Sequence, residues 1–276
     1  MQVDNVYIIY FSPVGHTRRV AETLGYALAE RLGVPAFSMD MTKPAKRRET
    51  MSFAPSDVVL LAVPTYAGRV PNKLLPDLKA CFRGDQTPAV AVVTFGNRNF
   101  DSSLTELRDV LEDDGFCVTA AAACACGHVF SKRIMPNRPD GTDQEQLVEM
   151  ARQMAVKIKS VRSAAACPRP VIRGDAPVGP YYTPLKADGT PAHFLKAKPL
   201  TEEDQCDRCG LCVTACPMGA IDRRNPLNVP RTCIKCQACI AICPHGAKYF
   251  DDADFFSHVA YLEEHCQARQ ENEWFL

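Results

Sequence analysis

Eight of the fourteen cysteines fall into two copies of one spacing, Cys206-x2-Cys209-x2-Cys212-x3-Cys216-Pro217 and Cys233-x2-Cys236-x2-Cys239-x3-Cys243-Pro244, with sixteen residues between the copies. Soft thiolate ligands suit iron, and two-residue gaps let three sulfurs of one turning segment face a single cubane. The fourth cysteine of each copy lies too far along the chain to join them, so it is expected to cross over. The ligation rule for this repeat gives cluster I to Cys206, Cys209, Cys212 and Cys243, and cluster II to Cys233, Cys236, Cys239 and Cys216. The expectation is therefore two [4Fe–4S] clusters.

Two other readings of these cysteines compete. Cys-x2-Cys pairs also make tetrahedral zinc sites, although the third cysteine of each copy would then be surplus. A disulfide framework needs an oxidising compartment, whereas Met1-Gln2-Val3-Asp4-Asn5 lacks the charged start and long apolar stretch of a secretory signal. Residues 200–250 hold few large apolar side chains, so metal ligation must stand in for much of a core there.

With 276 residues, 46% of them hydrophobic, the chain is long enough for one globular domain of ordinary size and a small one. Formal charge is zero, 32 basic against 32 acidic residues, and gives no whole-chain argument for nucleic acid or membrane binding. Only the last segment is lopsided: residues 251–276 carry one basic and seven acidic side chains. No apolar run approaches the roughly 20 residues that span a bilayer. A cytoplasmic protein without membrane insertion is expected, and oxygen-sensitive clusters would suit an anaerobic setting. The sequence leaves the oligomeric state open.

Residues 1–165 alternate apolar, β-branched runs with amphipathic stretches, the pattern of a parallel sheet covered by helices on both faces. Five strands are predicted, at Val6 to Ser12, Pro35 to Met39, Asp57 to Pro64, Ala89 to Phe95 and Cys117 to Ala122. Helices are predicted from His16 to Leu32, Asn72 to Cys81, Ser102 to Asp113 and Thr142 to Arg162, with a weaker one over Lys46 to Ser52. Residues 166–199 read as a linker or an extended arm, because seven prolines between Cys167 and Leu200 forbid regular structure. The Tyr181-Tyr182 pair favours an arm laid over apolar surface. Residues 200–250 form the cluster domain. Residues 251–276 make a helix over Phe255 to His265 and an acidic tail, whose Trp274-Phe275-Leu276 end is expected to dock on the body or on a partner.

The first strand ends in Tyr10-Phe11-Ser12-Pro13-Val14-Gly15-His16-Thr17, and a helix begins at once. Such a turn offers hydroxyls, free N–H groups and the positive helix end to a phosphate; an ordinary helix cap would look similar. Two further loops, Pro64-Thr65-Tyr66-Ala67-Gly68-Arg69-Val70-Pro71 and Thr94-Phe95-Gly96-Asn97-Arg98-Asn99-Phe100-Asp101, follow predicted strands at the same carboxyl edge, where open doubly wound sheets bind ligands.

In these three loops the chain resembles a flavodoxin, and with the cluster repeats it resembles a flavodoxin–ferredoxin fusion over residues 1–160 and 200–250. The resemblance implies a flavodoxin-like α/β fold with a five-stranded parallel sheet of order 2-1-3-4-5, joined to a small α+β ferredoxin-like domain. It also implies FMN, its phosphate held by Ser12, Val14, Gly15, His16 and Thr17. The flavin ring would lie against Thr65, Tyr66, Ala67, Gly68 and Arg69 and against Gly96, Asn97, Arg98 and Phe100. Tyr66 or Phe100 would stack on the ring, while Arg69 and Arg98 would either stabilise the reduced flavin or lie solvated at the surface. The phosphate loop has Val14 where flavodoxins commonly have a hydroxyl residue, which leaves more of the work to backbone donors.

Cys81, Cys117, Cys124, Cys126, Cys167 and Cys266 read as buried small hydrophobes or unpaired thiols. Cys124-x-Cys126 with His128 is an alternative metal pattern, although both cysteines continue the alanine-rich fifth strand. The function expected is electron transfer between two clusters and FMN in one chain, serving redox partner proteins. The alternatives are an iron–sulfur flavoprotein reductase acting on a small acceptor or quinone at the flavin, and a ferredoxin with a flavin-free docking domain.

Overall fold

The computed structural model describes residues 1–174 and 176–276. Its central element is a sheet whose middle strands are apolar on both faces, as expected when helices cover both sides. In chain order these are β1 (Asn5–Tyr10), β2 (Ala36–Asp40), β4 (Asp57–Pro64), β6 (Thr87–Phe95) and β7 (Phe116–Ala125); the short β3 (Met51–Phe53) and β5 (Phe82–Gly84) pair with each other elsewhere. All nine residues of β6 are buried. The parallel strands run β2-β1-β4-β6-β7, the flavodoxin-like doubly wound order expected from the sequence.

Helices α1 (His16–Leu32) and α4 (Gly141–Ser160) cover one face, where Val20, Leu24 and Leu28 meet a core that includes Leu147, Met154 and Ile158. Helices α2 (Leu75–Cys81) and α3 (Ser103–Asp113) cover the other with Leu78, Leu104 and Leu107. Helix α4 starts at a reciprocal capping box between Asp140 and Asp143. The chain order reverses across β1, which lies between β2 and β4, so the loops after β1 and β4 flank the switch point where such sheets bind ligands.

The structure corrects two expectations. The helix expected over Lys46 to Ser52 is a single 3-10 turn at Pro44–Arg47 followed by β3, because Met51 and Phe53 alternate inward as strand residues. The sheet also has a sixth strand. Residues Glu273–Phe275 pair antiparallel with β7, Trp274 opposite Ala122. The tail thus covers an edge that would otherwise expose unpaired backbone groups.

The cysteine repeats fold into two short helices, α5 (Leu211–Ala215) and α6 (Ala238–Ile242), beside a two-stranded antiparallel pair, β8 (Leu200–Thr201) with β9 (Lys248–Tyr249). Helix α7 (Ala253–His265) follows and leads to the sixth sheet strand, β10 (Glu273–Phe275). Phe255 of α7 packs with Phe194, Phe250 and Phe130, joining the proline-rich stretch, the cysteine-rich segment and the loop after β7. Among the described residues no helix is long and apolar enough to cross a membrane.

Candidate cluster cavities and the sheet-edge loops

The two cysteine repeats adopt one backbone path twice. In each, the residue two after the first cysteine is left-handed (Arg208, φ 59°; Lys235, φ 58°), as is the residue after the second (Gly210, φ 76°; Gln237, φ 64°). These reversals curl the segment so that its first three sulfurs face inward, and the short helix then carries the fourth cysteine away. Cys206, Cys209, Cys212 and Cys243 line one cavity. Cys216, Cys233, Cys236 and Cys239 line a second, walled by Ile221, Val229, Ile234 and Phe250.

Four thiolates around one cavity is the donor set of a cubane. Among the described residues no three His, Cys, Asp or Glu side chains gather on a single metal-ion position. Backbone N–H groups approach the sulfurs, Ala220 N donating to Cys216 Sγ at 3.2 Å and Lys235 N to Cys233 Sγ at 3.3 Å. Burial pushes the Cys236 and Cys239 thiols up to about 12. Burial raises Cys212 of one cavity as it does Cys239 of the other, and the buried Lys248 opposes that rise at both.

The second cavity is docked against the sheet. Arg47, buried, donates to Asp77 at 2.5 Å, to the Met41 and Thr42 carbonyls, and across to the Pro217 carbonyl at 2.8 Å. Lys43 donates to the Thr214 carbonyl, and Ile234 packs on the sheet core. Tyr66, from the loop after β4, is held well above the usual phenol range by burial and then by Cys236 and Cys233, so its ring belongs to the same neighbourhood.

At the loop after β1, Gly15 adopts φ 94° ahead of α1, a conformation that favours glycine, and a Cβ there would meet nothing within 4 Å. The N–H groups of Val14, Gly15, His16 and Thr17 have no acceptor among the described residues, while Ser12 Oγ accepts from Arg18 N at 2.9 Å. His16 is lowered by burial and by Arg19. Thr17 is different: its hydroxyl is turned inward, bonded to Thr94 Oγ1 at 2.8 Å.

The other two loops are more fully engaged. Tyr66 and Arg69 exchange backbone hydrogen bonds around Ala67 (φ 48°) and Gly68 (φ 75°), both left-handed as in a primed turn. Thr65 Oγ1 bonds Ser103 Oγ at 2.7 Å. Arg69 forks onto the buried Glu106 at 2.8 and 2.5 Å and lies over the Tyr181 ring at 4.8 Å. Arg98 pairs with Asp101 and lies over the Tyr182 ring at 3.9 Å, while Tyr182 N donates to the Ala67 carbonyl. The two arginines therefore clamp the arm; neither is a solvated surface group. A Cβ at Gly96 would lie 2.6 Å from the His128 ring. Asn97 is buried and bonds the Cys266 and Ala268 carbonyls, and Phe100 is fully buried against Phe95. Cys124 and Cys126 are buried in the core beneath α4.

The clamp was not visible in the sequence. Only the Tyr181-Tyr182 pair hinted at it, and nothing in the local pattern named Arg69 and Arg98 as its partners.

Residues 205–247 match the family model of the 4Fe-4S dicluster domain. Comparison with curated proteins returns no match. Among solved structures the chain is similar to a flavodoxin from the domain Archaea, with 13% identity and a TM-score of 0.39 over 56% of this chain and 99% of that one. It is also similar to flavodoxin 2 from Bacillus cereus, with 16% identity and a TM-score of 0.40 over 56% and 99%. A third is the rubredoxin oxygen:oxidoreductase of Desulfovibrio gigas, with 21% identity and a TM-score of 0.42 over 60% of this chain and 38% of that one. The chain carries a doubly wound sheet of flavodoxin-like strand order and a segment that matches the model of a 4Fe-4S dicluster domain, an organisation consistent with a flavodoxin–ferredoxin fusion.

Proposed function

We propose that the chain is an electron-transfer iron–sulfur flavoprotein that holds two [4Fe–4S] clusters and one FMN and serves redox partner proteins. The observation that carries this reading is the sorting of eight sulfurs, four and four, with Cys243 and Cys216 each crossing to the other repeat's cavity. The clusters would supply one-electron transfer, and the flavin would hold one or two electrons. The protein contributes ligands, the N–H···S bonds and the buried Lys248 that bias the charge on the sulfurs, and a single chain that keeps the centres at high effective concentration.

For FMN, the free N–H groups of Val14 to Thr17 and the positive end of α1 supply a phosphate site, with Ser12 Oγ still able to donate its proton. Thr65 and Tyr66 border the switch point beside it. Thr17, Phe100 and the side chains of Asn97, Arg69 and Arg98 are committed to the protein's own contacts, so the backbone carries most of the recognition. That same commitment favours a second reading, in which the sheet is a flavin-free docking domain for the cluster segment.

Titrating FMN into the iron-loaded chain while following flavin fluorescence separates the two. Quenching to one FMN per chain, with riboflavin binding more weakly for want of the phosphate, supports the flavoprotein. Absence of quenching leaves the docking domain.

A further inference from the structure

The two cavities are unequal in their surroundings. Cys239 and its counterpart Cys212 are alike at 9% and 8% exposure, but Cys236 is 7% exposed where its counterpart Cys209 is open to solvent, and the cavity of Cys236 is sewn to the sheet by Arg47 on Pro217, Lys43 on Thr214 and Ile234 on the sheet core. Cys209 of the other cavity is exposed, and so are Asp207, Arg208, Leu211 and His245 around it. Asp207 and His245 bond to each other at 3.0 Å across that rim, so the two ends of the repeat meet where the cavity opens to solvent.

We propose a fixed order for electrons: the Cys206–Cys209–Cys212–Cys243 site is the outer port for an external one-electron carrier protein, and the Cys216–Cys233–Cys236–Cys239 site is the inner relay, held against the sheet by Arg47, Lys43 and Ile234. This order deepens the electron-transfer reading and rests on it. Each transfer oxidises the carrier by one electron, reduces the outer site by one, and passes that electron to the inner site with no bond made or broken; the reverse flow balances in the same way. Leu211, 43% exposed beside the polar rim of Asp207, Arg208 and His245, gives the port the small apolar centre and polar surround of a transient protein contact.

Two measurements on the full, anaerobically reconstituted chain test the order, and both read iron–sulfur sites alone, so a missing flavin would sink the flavin half of the proposed function without touching them. In the first, iron is stripped slowly with EDTA and released thiols are trapped with iodoacetamide for mass spectrometry. Cys206, Cys209, Cys212 and Cys243 are expected to be labelled before Cys216, Cys233, Cys236 and Cys239; the opposite order, or equal labelling, overturns the assignment. In the second, a reduced 2[4Fe–4S] ferredoxin is mixed with Cys209→Ser and with Cys216→Ser, and the surviving cluster is followed by paramagnetic resonance. Cys209→Ser should lose most of its rate of reduction by the ferredoxin, whereas Cys216→Ser should keep the parent rate at its outer site. Slowing in Cys216→Ser alone contradicts the order. Should either variant fail to assemble, the labelling order on the parent chain still decides.

Discussion

The guanidinium of Arg47 donates to the carbonyl oxygen of Pro217 at 2.8 Å, so a side chain buried at the sheet reaches the residue that follows Cys216. One planar, permanently charged group thus fastens the flavodoxin-like sheet to the loop that carries Cys216. Four acceptors share it: Asp77 and the carbonyls of Met41, Thr42 and Pro217.

Arg47→Met should therefore leave three carbonyls without their donor and Asp77 without its partner. Removing charged hydrogen bonds of this kind costs on the order of 2–3 kcal/mol. Denaturant unfolding of the variant should show that loss, with Arg47→Lys recovering only part of it, because a lysine cannot reproduce the fork. A loss under about 0.5 kcal/mol, the size of an ordinary surface substitution, would mean the contact does not fasten the two parts.

The tail is held by a second buried network with a definite pH dependence. Arg138 forks onto Asp143 at 2.9 and 2.6 Å, with 2% and 1% side-chain exposure, and also bonds the Gln270 carbonyl; Asn272 bonds Asp143. Burial pushes the Asp143 carboxyl up, yet Arg138, the Asp140 backbone and Asn272 outweigh it and hold it below 3.8; Asp140 is held low chiefly by Arg269. Both carboxyls sit below their unfolded values, so their stabilisation is complete above about pH 4 and fades as pH falls through the folded values. Trp274 of β10, the chain's one tryptophan, donates to Gln153 of α4 and reports docking directly. Its emission should shift red on acidification below about pH 4, and at neutral pH in Asp143→Asn, where breaking a buried pair costs about 3–5 kcal/mol. Unchanged emission in both cases would remove the network from tail docking.

The arm should loosen when its clamps are cut. Arg69→Ala with Arg98→Ala removes both guanidiniums from the Tyr181 and Tyr182 rings. Each such contact is worth about 0.5–2 kcal/mol, so exchange of the Tyr182 amide, which donates to the Ala67 carbonyl, should quicken about fivefold or more. An unchanged exchange rate would show that the arm is held by its remaining contacts alone.

Much of this fold is legible in the sequence, and the missing parts share a physical reason. The β-branched runs of β1, β4 and β6 and the 3.6-residue pattern of α1 are local signals, while the sheet order is implied by the resemblance to a flavodoxin carried by the three loops. Strand β10 is three residues long and pairs with Ala121 to Ala123, about 150 residues away, so no local pattern announces it. Strands β3 and β5 are equally short. The cysteine spacing marks the eight residues that line the two cavities, while the repeated left-handed turns within the repeats fall partly on Arg208, Lys235 and Gln237, residues with no special propensity for that conformation. At the sheet edge, sequence marks loops well and side-chain destinations poorly. Phe100 reads as a stacking group and is core; Arg69 and Arg98 read as flavin or surface groups and instead hold the arm. An aromatic or cationic residue in a loop looks the same in either role until its neighbours are known.

Crossed ligation predicts an inverted pattern of damage. Cys216→Ser should chiefly remove the paramagnetic signal of the cluster held by Cys233, Cys236 and Cys239, and Cys243→Ser that of the cluster held by Cys206, Cys209 and Cys212. Iron analysis should show each variant losing about half its metal. Damage confined to the mutated repeat's own cluster would show the cavities are not filled as their linings suggest.

The most direct test of the whole account is anaerobic purification with iron, sulfide and flavin quantified on one sample, followed by stepwise reductive titration under optical and paramagnetic-resonance observation. The account predicts about eight irons and one FMN per chain, with electrons moving between the centres during the titration. About four irons, or eight irons without flavin, would contradict it.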